Sequence, residues 1–347
     1  MICFVCSNLW PYSFGGAERR YYEFALELSK RGYEVRYVTY DWGPSKIPLI
    51  PLGPPPQLYD KTGRRRLSPA LQFALATRRA VAKAGCKVVD VSVPYTATFL
   101  LPRERTILTL HEVWGHKWRD YFGPILGRLA EWGERRLLLW PRVVITPSRL
   151  TATRARRFRK DIYVIPFGLR LEEYLNHRGA DKEYDVAIVT RLVPYKGIRD
   201  ALRTLHLIRR TLKVAVVGDG PLRDEVKQEA QRSRHVFHLY PTASEEDKRC
   251  IVAKSVFFLN MSPAEGFSIA TLEAVALGAY PIVLRSEYNA ATELVEALGY
   301  GAIVATPEEA AAIIENNNTP DPPTSTLQQF HIKRVVDQYE EVVKRIF

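Results

Sequence analysis

The chain has 347 residues, 46% of them hydrophobic and 25% charged, an ordinary globular mix with length enough for two domains and too apolar for a disordered chain. No apolar run approaches the length of a membrane span, and the start, MICFVCSNLWPY, lacks the basic first region of a signal peptide, so a cytoplasmic protein is expected. The formal net charge of +12 is unevenly spread: residues 1–170 hold 29 Lys and Arg against 13 Asp and Glu (+16), and residues 171–347 hold 21 against 25 (−4). Such an asymmetry speaks about partners rather than fold, and points the first half at something anionic.

The first half opens on MICFVCS, an apolar strand-like run. Cys3 and Cys6 form a C-x-x-C within it, but no second pair completes a zinc site. Both read as small buried residues of a strand, and four cysteines in so long a chain make no disulfide framework. Next comes AERRYYEFALELSKRG, a helical pattern in which Tyr22, Ala25, Leu26 and Leu28 supply the apolar face and Gly32 the stop. Further strand-like runs follow at EVRYVTY, KVVDVSV, TILTLH, VVITPS and DIYVIPFG. YFGPILGRLAEWGERRLLLW reads as one helix between them, with Phe122, Ile125, Leu126 and Leu129 beside Arg128, Arg135 and Arg136.

In the second half, strand-like YDVAIVT, KVAVVGDG, VFHLY, SVFFLN and AYPIVL alternate with helical stretches at 197–210, 221–233 and 244–253. Continuous Val/Ile/Leu strands alternating with helices indicate parallel sheets covered on both faces. The expected class is α/β, with two doubly wound, Rossmann-like domains over 1–170 and 171–325. The tail from 326 ends in a helix whose Val335, Val336, Tyr339, Val342, Val343 and Ile346 recur at helical spacing. It is expected to cross back to the first domain. Ligands of such sheets sit at the carboxyl ends of strands, so a cleft between the domains is the expected site.

Several strand ends carry residues capable of chemistry. Gly15 and Gly16 stand between the first strand and the first helix, where backbone N–H groups can approach a phosphate. His111 ends a strand. Arg191 and Lys196 lie in VTRLVPYKG, a spacing of cations suited to a diphosphate. Gly218 belongs to the Gly-Asp-Gly-Pro turn of VVGDGPL, and Glu265 and Glu273 bracket GFSIATL in SPAEGFSIATLEA.

Together, GGAE, TRLVPYKG, VVGDGP and SPAEGFSIATLEA, with ITPSRLT and VIPFGL, resemble the signature positions of the GT-B-fold retaining glycosyltransferases of family 4 over nearly the whole chain. The resemblance implies a nucleoside-diphosphate sugar as donor and a sugar, lipid or glycan as acceptor. It implies Arg191 and Lys196 on the diphosphate, Gly15 and Gly16 approaching it from the first domain, and His111 near the sugar. Glu265 would meet sugar hydroxyls and Glu273 the ribose, with Gly218, Gly266, Phe267 and Ser268 lining the donor site. Two cations do the work that a metal does elsewhere, so neither a metal nor a further cofactor is expected. The chain departs from the family pattern at Phe167, Thr190 and Ser268, and SEYNAATELV lacks the usual Gly-Gly, with Glu293 in the associated place.

Two other readings compete. A sugar-nucleotide epimerase shares the fold, but its His-rich and Glu signatures are missing. A basic nucleic-acid-binding protein is suggested by TGRRRLS and RARRFRK, yet neither run is interleaved with stacking aromatics. The charge on the first half instead favours a lipid-linked or otherwise anionic acceptor, or an anionic membrane surface. Arg64–Arg66, Trp114–Arg119 and Arg154–Lys160 are its candidate contacts.

Overall fold

The computed structural model describes residues 1–13, 15–58 and 66–346. These fall into two compact units, Met1–Gly168 with the C-terminal segment from Ile332, and Leu169–His331. Residues 326–330 thus belong to the second unit, and the returning segment starts at Ile332. Arg64 and Arg65 lie outside the described residues, whereas Arg66 caps the start of a helix.

The first unit runs β1 (Ile2–Val5), α1 (Gly16–Lys30), β2 (Val35–Thr39), β3 (Leu49–Pro51), α2 (Leu67–Ala84), β4 (Val88–Val91) and β5 (Thr106–Thr109). It continues with α3 (Lys117–Phe122), α4 (Pro124–Leu139), β6 (Val143–Thr146), α5 (Arg149–Ala155) and β7 (Tyr163–Val164). Its seven strands are all parallel, in the order β3-β2-β1-β4-β5-β6-β7. β1, β4, β5 and β6 are buried along their whole length, which is why they read as unbroken apolar runs. β3 escapes such a reading because LIP is short and ends in proline, which suits only an edge.

Two expectations about helices change. The buried stripe of α1 is Tyr21, Phe24, Ala25 and Leu28, so Tyr22 and Leu26 sit at its margin rather than on it. The single helix expected over 121–140 is two, because Gly123 takes φ 82° and Pro124 starts α4 afresh.

The cysteine reading is also corrected: Cys3 is joined to Cys86 by a disulfide, while Cys6 is buried outside any disulfide. Parallel pairing puts Cys3 beside Val89 of β4, and Cys86 lies just ahead of that strand. The two Cα atoms are 5.9 Å apart, within disulfide reach. A separation of 83 residues hides this pairing from any local motif.

The last helix, α13 (Ile332–Lys344), is part of the first unit. Its Tyr339 ring packs against Phe24 and Phe4, and its hydroxyl donates to Asp90 Oδ2 at 2.8 Å. Asp90, fully buried in β4, also accepts from Tyr21 (2.6 Å) and Thr109 (2.8 Å). Burial raises the carboxyl's pKa against the pull of these donors and of the Arg20 guanidinium.

The second unit runs α6 (Glu172–Leu175), β8 (Tyr184–Val189), α7 (Ile198–His206), β9 (Lys213–Val217), α8 (Arg223–Arg232), β10 (Val236–Tyr240) and α9 (Glu245–Ala253). There follow β11 (Ser255–Asn260), β12 (Ala264–Glu265), α10 (Ile269–Ala276), β13 (Tyr280–Leu284), β14 (Tyr288–Asn289), α11 (Ala291–Leu298), β15 (Ala302–Val304) and α12 (Pro307–Asn316). Six parallel strands take the order β10-β9-β8-β11-β13-β15, and β12 pairs separately with β14. Both units are doubly wound α/β sheets. Among the described residues no helix is long and apolar enough to cross a membrane.

Candidate active site

In the second unit the carboxyl end of β8 runs into Thr190–Gly197. Gly197 has φ 68°, and a Cβ there would overlap the Met261 carbonyl, so this loop lies directly on the backbone that leaves β11. That contact brings Lys196 to Glu265: Nζ donates to Oε1 at 2.9 Å, with both side chains mostly buried (14% and 16% exposed). Glu265 is held in turn by β12, which pairs with Asn289, and its carbonyl accepts from the Ala290 N–H at 2.8 Å. Arg191 is exposed, with its guanidinium 5.7 Å from the centre of the Tyr195 ring. Lys196 and Glu265, 69 positions apart, thus form one mostly buried pair whose second carboxylate oxygen can accept from a hydroxyl.

Gly266 and Phe267 are both buried; the Phe267 ring packs on Phe330 with centroids 6.1 Å apart, which serves the core. Ser268 precedes α10 at φ 68°, a conformation that favours glycine. Its hydroxyl compensates: it accepts from Asn260 Nδ2 (3.0 Å) and shares a bond with Thr271 (2.8 Å). One turn on, Glu273 is 4% exposed. Tyr174 of α6 donates to its Oε1 (3.1 Å), and Lys248 of α9 lies 3.1 Å from its Oε2. Neither partner stood out in the sequence, since each is a single polar residue on another element.

Gly218 has a backbone role of its own beside the donor-site lining expected of it. At φ 136° it lets the Thr190 carbonyl pass where a Cβ would sit, and its own N–H donates to Tyr240 O at 3.1 Å. Its amide is therefore engaged within the fold, and its part is to let the two strand-end loops close up. Beside it a cavity of about 170 Å³ is lined by Leu192, Gly218, Pro241, Arg223 and Lys227, of which the last three carried no motif.

In the first unit His111 follows β5. Ser92 Oγ lies 2.9 Å from its Nε2, the Tyr95 hydroxyl accepts from its N–H (3.2 Å), and its ring meets Phe167 edge-on. Its Nδ1 is buried without a hydrogen-bond partner. Burial, with the Arg20 charge adding, pushes its pKa down to about 3, so the imidazole is neutral at physiological pH. A neutral ring with an unused nitrogen can exchange a hydrogen bond with a hydroxyl but offers no cation. Phe167, one of the departures from the family pattern, is what encloses it. Past His111, Trp114, Trp118, Tyr121 and Phe122 form an aromatic cluster, the two indoles stacked at 5.0 Å.

Gly15 caps α1, and a Cβ on it would collide with the Glu18 carboxylate, which also accepts from Asn8 Nδ2 at 3.0 Å. The helix start at Gly16 thus already has a carboxylate in its first turn. A larger cavity, about 450 Å³, lies elsewhere, lined by Cys86, Phe99, Arg78, Arg105 and Trp140. It sits by the amino ends of β4 and β5, the edge of the sheet remote from His111, so volume alone does not locate the chemistry here.

Two family models match adjoining stretches, Glycosyltransferase Family 4 over residues 14–173 and Glycosyl transferases group 1 over residues 172–318. The chain is 22% identical to the O-antigen chain mannosyltransferase C of Escherichia coli over 330 residues, 90% of this chain and 86% of that protein. Its fold matches sucrose-phosphate synthase from Thermosynechococcus elongatus (TM-score 0.74, 16% identity, 100% and 98% of the two chains). It also matches Anabaena HepE in complex with UDP-glucose (TM-score 0.71, 16% identity, 99% of both chains). Strand-end cations and carboxylates on two doubly wound sheets, with family models over both halves, identify the chain as a GT-B-fold glycosyltransferase of family 4.

Proposed function

We propose that the protein moves a sugar from a nucleoside-diphosphate sugar to an acceptor hydroxyl with retention at the anomeric carbon and without a catalytic metal. The Lys196–Glu265 pair next to Arg191 carries this reading. The acceptor oxygen bonds to the anomeric carbon, the carbon–oxygen bond to the β-phosphate breaks, and the acceptor proton leaves with the nucleoside diphosphate. Arg191 and Lys196 stabilise the charge growing on that diphosphate, a role for fixed cations that requires no ion. Glu265, oriented by Lys196, accepts from the donor sugar's hydroxyls, and Glu273 accepts from the ribose. Neutral His111 contributes a hydrogen bond to the sugar. The cavity beside Gly218 suits the base, with Arg223 and Lys227 at its wall.

The acceptor belongs to a glycan or lipid-linked chain, as the names of the O-antigen relative and of the lipopolysaccharide glycosyltransferase WaaG, a fold match at TM-score 0.66, suggest. An anionic membrane surface suits the first unit. On α2, Leu67, Leu71 and Leu75 are exposed four residues apart, one face of the helix. On α4, Ile125, Leu126, Leu129 and Trp132 are exposed beside Arg128, Arg135 and Arg136. Apolar stripes edged with arginine suit interfacial docking.

Incubation with UDP-, GDP- and ADP-sugars tests the chemistry: acceptor-dependent release of nucleoside diphosphate is expected, with an α-linked product from an α-linked donor. An inverted product would remove retention, and loss of turnover at saturating donor in EDTA would remove the metal-free step. Sedimentation with phosphatidylglycerol and phosphatidylcholine vesicles tests the surface. Salt-sensitive binding to the first alone is expected, and equal, negligible binding to both would dismiss it.

A further inference from the structure

We infer that His177, Glu246 and Cys250 form a zinc site that clamps α6 to α9 behind the Glu273 carboxylate. Glu246 and Cys250 stand four apart on α9, hence on one face of the helix. His177 follows α6 by two residues. Its Nε2 is 3.4 Å from Glu246 Oε1, its Nδ1 is 3.9 Å from Cys250 Sγ, and that sulfur is 4.0 Å from the same Oε1. Tetrahedral zinc with ordinary bond lengths sets sulfur about 3.6 Å from a nitrogen or oxygen ligand, and nitrogen about 3.4 Å from oxygen. One donor atom from each of the three already lies within 4.8 Å of the others, so a small turn of the imidazole ring completes the triangle. A thiolate with an imidazole and a carboxylate selects zinc over magnesium or calcium, and water fills the fourth position.

The position of the site gives it a consequence, which rests on the ribose reading of Glu273. The two helices that the metal would join are those that hold Glu273, through Tyr174 on α6 and Lys248 on α9. A second tie, Arg249 to Glu173 at 2.8 Å, already spans them. Lys248 and Arg249 lie between Glu246 and Cys250 in the chain, so fixing these two ligands fixes the turn that carries both cations. Zinc here acts on the rigidity of the ribose grip and leaves the bond-breaking step to Arg191 and Lys196. A bound metal that orders the Glu273 partners before the donor arrives lowers the ordering cost of donor binding.

Cobalt(II) titration of the full chain gives the direct test. Thiolate-to-cobalt absorption in the near ultraviolet is expected at one equivalent, and is to vanish in Cys250→Ser and weaken at least tenfold in His177→Ala. No such band, or the same band in Cys250→Ser, overturns the site. Calorimetry with UDP, GDP and ADP then tests the coupling. The nucleotide that binds is expected to bind at least threefold more tightly with zinc present, in the wild type but not in Cys250→Ser. Equal affinity with and without zinc overturns the coupling. If none of the nucleotides binds in either state, the donor reading of Glu273 fails, and the cobalt band still decides the metal site.

Discussion

The two units share an architecture and differ in how they meet solvent. The first, counted with its returning helix, has 32 Lys and Arg against 16 Asp and Glu, and the second has 18 against 22. The first also exposes Leu67, Leu71, Ile125, Leu129 and Trp132, whereas among the described residues of the second only Tyr195, Leu207 and Val236 are large, apolar and exposed. The second instead concentrates close backbone contacts at its strand ends, where Gly197 and Gly218 admit carbonyl groups of neighbouring loops. Under the proposed function, a small polar donor calls for fixed loops and an extended anionic partner for a broad charged face. One sheet architecture can carry both demands, because specificity sits in loops and outer helices.

The sharpest way to break this contrast is at the second unit's cations. Lys196→Ala and Arg191→Ala should each lower turnover by roughly two to three decades at saturating donor, the usual cost of losing one transition-state contact. The circular dichroism of both variants should match that of the wild type. Near-normal turnover in either would mean that the rigid loops serve something other than the departing diphosphate.

In the first unit, Cys86→Ser should cost about 4.5 kcal/mol of stability in denaturant, from closure of a loop spanning a separation of 83 residues. A reducing agent should shift the wild-type midpoint to meet that of the variant and leave the variant unmoved. An unchanged midpoint would show that the disulfide contributes nothing to the fold.

His111 gives a smaller effect with a defined sign. Its folded pKa, about 3, lies below the unfolded 6.5, so its stabilisation is complete above pH 6.5 and fades as pH falls toward 3. The slope reaches at most about 1.4 kcal/mol per pH unit. His111→Gln should flatten the stability profile between pH 6.5 and 4 relative to the wild type. Parallel profiles would mean that the ring protonates freely in the folded chain.

The smallest change sharpens the reading of the donor loop. Ser268→Gly should alter stability by less than about 1 kcal/mol, because relief of the left-handed backbone offsets the lost hydroxyl bonds. Ser268→Ala keeps the strain, removes the bonds to Asn260 and Thr271, and should cost about 1–2 kcal/mol by thermal melts. If the alanine variant proves the more stable, the hydroxyl is not what permits serine there.

Much of the fold was legible because buried parallel strands are long apolar runs, and β1, β4, β8 and β11 stand where such runs occur. β12, β14 and β15 were not, being two or three residues long and defined by their neighbours rather than by composition. At the site, the residues that sit in local motifs could be named from the sequence. Their partnerships could not, since Lys196 meets Glu265 and Tyr174 meets Glu273 across 69 and 99 positions. The departure at Ser268 makes sense only once the Asn260 amide is seen beside it.

The Asp90 hub has a consequence for synthesis. The second unit needs nothing beyond His331, so its chain is complete when that residue leaves the ribosome. The first unit, although made first, cannot close until Tyr339 arrives to occupy Asp90 and fill the space between Phe24 and Phe4. Until then an incomplete sheet and an unmet buried carboxylate must wait in the nascent chain. The unit translated first is therefore the last to finish folding, and a stop ahead of Tyr339 would spare the second unit while leaving the first with Asp90 short of a donor and a gap between Phe24 and Phe4.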